Sequence, residues 1–509
     1  MQQLSGMDAS FLYAETPNAH MAGAGVSIYD PSTAPGGKVT FKGILAHLES
    51  RLPAARVFRQ RLVRVPFDWD HPYWIEDPDF DLEFHVRHIA LPKPGDWRQL
   101  CIQVARLLAR PLDLERPLWE MYVVEGLDNV AGVPKGSFAV VSKIHHAAID
   151  GMSGMEMTTA IHDDSPTATR PAVEDTWQPE TIPTDAELLA RAGMNNAAKP
   201  MHFARVLGRA MPQLGQLQDQ LRRQSITAPP SVIPRTRWSG PVSPHRVFDG
   251  VRYDLDDMKA IKASVTGATV NDVVLTVVGG ALRSYLLAKD ELPSDPLIAM
   301  APISVRSADE RSAAGNLVSG MLTTLGTDIA EPLARLEAVR NGTHESKEFT
   351  QALGARTLVD FADLMPGGLV GFGARTSARM SLANQLRPVF NTSVSNMPGP
   401  RHTLYMAGAE LVAMYGAGMI TDGMGLIHPV MSYRGDITIS FTSCRDMLPD
   451  PAVYAQCLRE SFDDLAAVTV RPKPAAKRAT KRTSTARKST ARKAPARKAP
   501  AKRRAAATA

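Results

Sequence analysis

The sequence predicts an α+β protein of two similar halves, each a mixed sheet with helices, followed by a basic tail that has no core of its own. Three observations carry that expectation. Short β-branched runs interleave with runs of helical period on both sides of a Pro-, Thr- and Ser-rich segment, residues 163–245, which reads as a crossover linker. At 509 residues and 44% apolar content the chain is long enough for two domains with a large core. Units of the form STARK and APARK repeat every five residues from Ser484 to Arg503 without an aromatic or large apolar side chain, so the tail, residues 470–509, is expected to be disordered. The halves on either side of the linker are then residues 1–162 and 246–469.

In chain order, MDASFLYAE (7–15) reads as a helical turn and GAGVSIY as a strand, with a Pro/Gly-rich loop after it. Residues 40–51 carry apolar positions at helical spacing, and LEFHVRHIAL and LWEMYVVEGL read as strands flanking a helix near 97–109. Trp119, in the second of these strands, is expected in the core. Within the linker, Phe203, Val206, Leu207, Leu214, Leu217 and Leu221 share one helical face, with Arg205, Arg209, Arg222 and Arg223 elsewhere. Such a basic amphipathic helix suits a membrane surface, or a cap over the body, and Pro212 should kink it. Beyond Arg246, Thr269 and Asp272 form a helix start, with Val270, Val273, Val274, Val277, Val278, Ala281 and Leu282 as its buried stripe. PLIAMAPISVR and LVSGMLTTLGT read as strands around Gly315-Asn316, and helices are expected from about Glu331 to Asn384. PVFNTSVSN, LVAMYG, LIHPVMSY and DITISFTSC read as four more strands, before a last helix from about Pro451 to Val468.

One turn stands out. FAVVSKI is apolar enough for a buried strand, and it runs into HHAAIDG, residues 145–151. Alternation along it places Phe138, Val140, Ser142, Ile144 and His146 on one face, and Lys143 and His145 on the other. SGME after Gly151 is a capped helix start, with the helix reaching about His162. His146 thus ends a rigid strand facing a helix N-terminus, which suits a base beside developing negative charge. Asp150 could orient the turn and Gly151 lets the chain reverse. An isolated His-His pair is more often a structural or metal-binding accident than an active site. Zinc fits poorly, because adjacent strand residues diverge and no Cys or His stands at ligand spacing.

HHxxxDG is the signature of the CoA-dependent acyltransferase superfamily. The sequence resembles its bacterial wax ester synthase/diacylglycerol acyltransferase branch, especially the actinobacterial triacylglycerol synthases, over almost the whole chain to about residue 469. The resemblance rests on MDASFLYAE, RPLWEMYVVEGL (116–127), the HHAAIDG motif, TVNDVVL (269–275), PISVR (302–306), NMPGP (396–400), DGMGL and SYRGDITISFTSCRDMLPD. One departure is AHMAGAGV at 19–26, where the family usually carries a PMHVG-like segment. The resemblance implies two chloramphenicol-acetyltransferase-like domains with a tunnel between them, and transfer of an acyl group from acyl-CoA to diacylglycerol or a long-chain alcohol. It implies His146 as general base without a covalent intermediate, supported by His145, Asp150 and Gly151, with Asn271 and Asp272 as substrate-binding or oxyanion candidates. No cofactor beyond the acyl-CoA substrate is implied.

Charge and cysteine usage bound the setting. Fifteen of the 58 Lys and Arg lie from Arg471 on, with no Asp or Glu among them, so the rest carries 43 against 52 acidic residues and is itself acidic. The tail is a candidate for anionic lipid, and secondarily for DNA through counterion release. No run of eighteen apolar residues is present, and the N-terminus lacks the basic and apolar regions of a secretory signal. Cys101, Cys444 and Cys457 follow no metal or disulfide spacing. The expectation is a cytoplasmic protein, peripheral to the inner face of the membrane or to lipid droplets. Two alternatives remain at this level: a condensation-type or polyketide-associated acyltransferase with another acceptor, and a weakly active lipid-binding or nucleoid-associated homologue.

Overall fold

A computed structural model describes residues 1–148, 153–167, 174–223, 226–304 apart from 229 and 231, 318–353, 376 and 387–470. Met1–Pro472 forms one compact unit; Lys473–Ala509, the second, lies outside the described residues, as does the expectation of disorder there.

The first half begins with β1 (Gln2–Gln3), α1 (Gly6–Tyr13), β2 (Ala22–Asp30), α2 (Phe41–Glu49), β3 (Gln60–Val63) and β4 (Tyr73–Glu76). It continues through α3 (Leu82–His85), β5 (Val86–Ala90), α4 (Trp97–Leu108), β6 (Trp119–Leu127), β7 (Ser137–His145) and α5 (Ser153–Ile161). LEFHVRHIAL is therefore split: Asp81 caps a helical turn through its side chain, and only the β-branched end pairs, in parallel with β6. Trp119 is a core residue, donating from Nε1 to the Phe58 carbonyl at 3.0 Å and stacking on His85. Alternation along β7 divides its side chains as the pattern requires. Phe138 and Val140 join the core that holds Met157 and Ile161 of α5, and Ala139 and Val141 join that of Leu100 and Val104 of α4.

The linker carries one long helix, α6 (Asp185–Arg222), starting well before the amphipathic stretch because Thr184 and Glu187 form a reciprocal cap. Its first turns dock on the small sheet β1-β4-β3: Leu188 and Ala192 pack with Val65 and Tyr73, and Asn195 donates to Asp70. Pro200 and Pro212 both lie inside this helix.

The second half contains β8 (Arg246–Asp254), α7 (Leu255–Ala263), α8 (Val270–Leu287), β9 (Ile298–Ser304), β10 (Val318–Thr324) and α9 (Pro332–Leu353). It ends with β11 (Thr392–Pro398), β12 (Tyr405–Met406), β13 (Ala409–Ala417), β14 (Leu426–Tyr433), β15 (Asp436–Cys444) and α10 (Pro451–Thr469). The Gly315-Asn316 loop and the helical expectation past Leu353 fall outside the described residues, save Thr376. α8 departs from a one-sided stripe, since every residue from Asp272 to Leu282 is buried. It is apolar enough by length and composition to cross a membrane, and its burial under α9, α10 and the sheet accounts for that composition. Gly279 and Gly280 permit the approach: a Cβ on the first would stand 2.0 Å from the Leu325 carbonyl oxygen, and on the second 2.2 Å from Ser461 Oγ.

Two six-stranded mixed sheets result, β12-β13-β2-β7-β6-β5 and β10-β9-β11-β14-β15-β8. The division into contiguous halves needs a correction. β12 and β13, which follow β11 in sequence, belong to the first sheet, where β13 pairs antiparallel with β2 from Glu410↔Asp30 to Ala417↔Ala24. The reason is an open edge: β2 bonds β7 on one side, and β13 satisfies the backbone groups of the other. β13 also lies against the second sheet. Thr438 Oγ1 donates to the Met414 carbonyl, and a Cβ on Gly416 would meet Pro429 at 2.7 Å.

Candidate active site

β7 ends at His145, and the chain leaves the sheet in a 3₁₀ turn, His146–Ala148. The two histidines enter different surroundings. His145 is fully buried and accepts at Nδ1 from the Ala147 N–H at 3.0 Å, so its proton sits on Nε2, 3.4 Å from Glu15 Oε1. Glu15 also accepts the Met21 N–H at 2.9 Å. Burial works against its charge, but the contact with His145 and the Met21 N–H outweigh it, and the carboxyl is held below its usual range.

His146 is anchored by its backbone. Its N–H donates to the Met21 carbonyl at 2.7 Å, and its ring packs on Phe11 with centroids 4.8 Å apart. Burial, with the neighbouring His145 as a smaller cause, pushes the imidazole down to about 4, so it is neutral at physiological pH. Nδ1 is buried with no hydrogen-bond partner among the described residues. α5 follows the turn as expected, while Asp150 and Gly151 lie outside the described residues.

Residues the sequence reading passed over hold this turn in place. Phe11 of α1 packs both against the core containing Ala147 and Ala148 and against the core containing Val273 and Val274 of α8. Met21, in the stretch that departs from the family pattern, is buried in that second core. Phe11 and Glu15 fall within MDASFLYAE, but nothing in that string distinguishes a packing residue from one that meets His145.

Of the two candidates on α8, one keeps a free donor. Asn271 stands in the first turn, its Oδ1 3.5 Å from Asn396 Nδ2, and its own Nδ2 has no partner among the described residues. Asp272 needs a correction. Its Oδ2 accepts from the N–H and hydroxyl of Thr269 at 2.7 and 2.8 Å, and its Oδ1 from Thr343 Oγ1 at 2.7 Å. A buried side chain with both oxygens so occupied caps the helix and has none left for a substrate.

Comparison with known proteins places the chain in a family. Residues 4–274 match the wax ester synthase/diacylglycerol acyltransferase catalytic domain, and residues 314–466 match the WS/DGAT C-terminal domain. A putative diacylglycerol O-acyltransferase of Mycobacterium tuberculosis (strain ATCC 25618 / H37Rv) is 33% identical over 91% of this chain and 90% of its own length. A second from the same strain is 32% identical over 92% and 97%. Among solved structures, the wax ester synthase/diacylglycerol acyltransferase from Marinobacter aquaeolei VT8 aligns with a TM-score of 0.63 at 25% identity, covering 92% of this chain and all of that one. The first condensation domain of the CDA synthetase shares the fold, with a TM-score of 0.52 at 14% identity over 92% of this chain and 98% of its own. With both halves matched and a neutral histidine held at the end of a central strand, the chain belongs to the wax ester synthase/diacylglycerol acyltransferase family of acyltransferases.

Proposed function

We propose that the protein moves a long-chain acyl group from acyl-CoA to the hydroxyl of diacylglycerol, and also of long-chain alcohols, with His146 as general base. The observation that carries this reading is the neutral His146 imidazole, locked by Phe11 and the Met21 carbonyl with its Nδ1 closed off. Nε2 takes the proton as the alcohol oxygen attacks the thioester carbonyl. The tetrahedral oxyanion collapses, the C–S bond breaks, and the imidazolium returns its proton to the departing thiolate. Atoms balance with no acyl-enzyme. Asn271 Nδ2 is the side-chain donor available for the oxyanion, and Glu15 with His145 keeps the turn rigid. The acyl and acceptor classes come from the names of the relatives.

We place the enzyme on a lipid surface. Phe67 and Trp69, in the loop before β4, are 93% and 56% exposed, and Met201, Phe203 and Met211 of α6 are 70%, 48% and 59% exposed. Asn196 of α6 donates to the Trp69 carbonyl at 2.9 Å, which sets loop and helix side by side. Phe67 and Asp68 adopt left-handed φ of 63° and 50°, an uncommon conformation for a bulky aromatic, while holding that ring out in water. The basic tail would add attraction to anionic lipid, with DNA its secondary partner.

The test is product formation from palmitoyl-CoA with dioleoylglycerol and, separately, hexadecanol. Ester should form, and His146→Ala should lower turnover roughly 10²–10⁴-fold with the protein still folded. Undiminished turnover in that variant would remove His146 as the base.

A further inference from the structure

A second feature lies away from the histidine turn, where α4 of the first half faces the start of β8 and the N-terminal turns of α10. The three elements enclose a cleft of ≈ 740 Å³, within the roughly 300–1,000 Å³ usual for small-molecule sites. Five arginines line it: Arg98 and Arg106 from α4, Arg246 from β8, and Arg445 and Arg459 from before and within α10. None makes an ion pair among the described residues, whereas most arginines elsewhere on the first half do.

The carboxylates in the wall do not neutralise them. Asp96 is spent on the reciprocal cap of α4, and Asp249 accepts from Trp97 Nε1 at 2.7 Å and from the Gly250 N–H. Burial raises the Asp249 carboxyl above the usual range. Between the arginines the wall is apolar, with the Ile102 side chain half exposed and Val247, Phe248 and Pro451 behind it. Unpaired guanidiniums over an apolar wall match a ligand that carries several phosphates on a less polar body. One wall of the cleft is tied to the segment that anchors the histidine turn. Arg246 is buried and donates to the Asn18 carbonyl, three residues before Met21, whose carbonyl takes the His146 N–H.

We infer that this cleft seats the phosphates of CoA, with Arg98, Arg106 and Arg445 holding the nucleotide end and Arg246 marking the side nearest the thioester. The assignment rests on the acyl-CoA reading above, since another thioester carrier would not need it. It makes a claim of its own, that affinity for free CoA depends on the α4 arginines, which are exposed and free of structural bonds and so can be changed without unfolding the chain.

The experiment is calorimetric titration of the full-length protein with CoA, dephospho-CoA and inorganic phosphate, for wild type, Arg98→Ala/Arg106→Ala and the corresponding double Lys variant. Wild type should bind CoA more tightly than dephospho-CoA. The double Ala variant should lose about tenfold or more in CoA affinity, as expected for charge-assisted bonds, and the Lys variant should recover part of it. In turnover, KM for acyl-CoA should rise about as much while kcat stays within about twofold. Equal CoA affinity in the double Ala variant and wild type overturns the assignment. So does loss of binding to phosphatidylglycerol/phosphatidylcholine vesicles with CoA affinity unchanged, which would give the cleft to a lipid head group. The two readings fail separately: a wild type that binds CoA through these arginines but forms no ester sinks the acyl-transfer reading alone, and an active enzyme whose KM ignores them sinks the cleft alone.

Discussion

At the scale of single residues, what distinguishes His146 from an ordinary surface histidine is that most of its ring is shielded from water. An unperturbed imidazole titrates near 6.5, whereas burial pushes this one down to about 4. In the proposed reaction kcat/KM should therefore stay level as pH falls through 6.5 and decline only towards about 4, where the base is protonated. A limb near 6.5 in the rate profile would show that the ring is solvated and would sink the geometry proposed for it. The same depression has a consequence for stability. Because the unfolded chain takes up a proton near 6.5 that the folded chain refuses until about 4, this group's contribution is complete above 6.5 and is lost as pH falls across that window. The histidine pair could be read from sequence because four fixed residues mark it. Glu15, Phe11 and Met21 could not, because they meet the turn from more than a hundred residues away. Asp272 misled for a local reason: a capping carboxylate and a substrate-facing one are the same letter next to the same asparagine.

At the scale of elements, α6 shows where periodicity stops being informative. The apolar face at 203–221 was visible as a stripe, but whether a stripe meets protein or lipid depends on what else folds beside it. Its N-terminal turns are taken by the small sheet, and the exposed methionines and Phe203 lie beyond them. The Phe67–Trp69 loop, which Asn196 of the same helix bonds, carries no periodic signal at all. If the two form one docking surface, Phe67→Ser/Trp69→Ser should weaken binding to phosphatidylglycerol/phosphatidylcholine liposomes by about a hundredfold or more, since each large side chain contributes on the order of 1.5–3 kcal/mol when buried and about 1.4 kcal/mol is tenfold. Thermal stability should be unchanged or slightly higher, as the left-handed aromatic is relieved. Liposome sedimentation measures this, and binding equal to wild type would return the face to a purely structural role.

At the scale of the whole molecule, the crossing of β12 and β13 into the first sheet makes the two halves one cooperative object. A fragment of residues 1–245 would leave the outer edge of β2 unpaired and strip Ala413, Tyr415 and Phe248 from the core that holds Val26 and Ile28. It should aggregate or show no cooperative melt, and co-expression with residues 246–509 should restore a soluble complex. Size-exclusion chromatography with near-UV circular dichroism distinguishes the outcomes, and a monomeric, cooperatively melting fragment would contradict the coupling. Most of the longer strands and helices, the histidine turn, the capped start of α8 and the basic composition of the tail were legible in the sequence, because each rests on local periodicity, cap chemistry or composition. Which sheet β13 completes, that Thr343 takes the other oxygen of the capping Asp272, what lies behind His145 and where the unpaired arginines converge were decided by tertiary structure alone. These depend on which distant backbone edges and charges must be satisfied when the chain packs, and a string of residues carries no distance between its members.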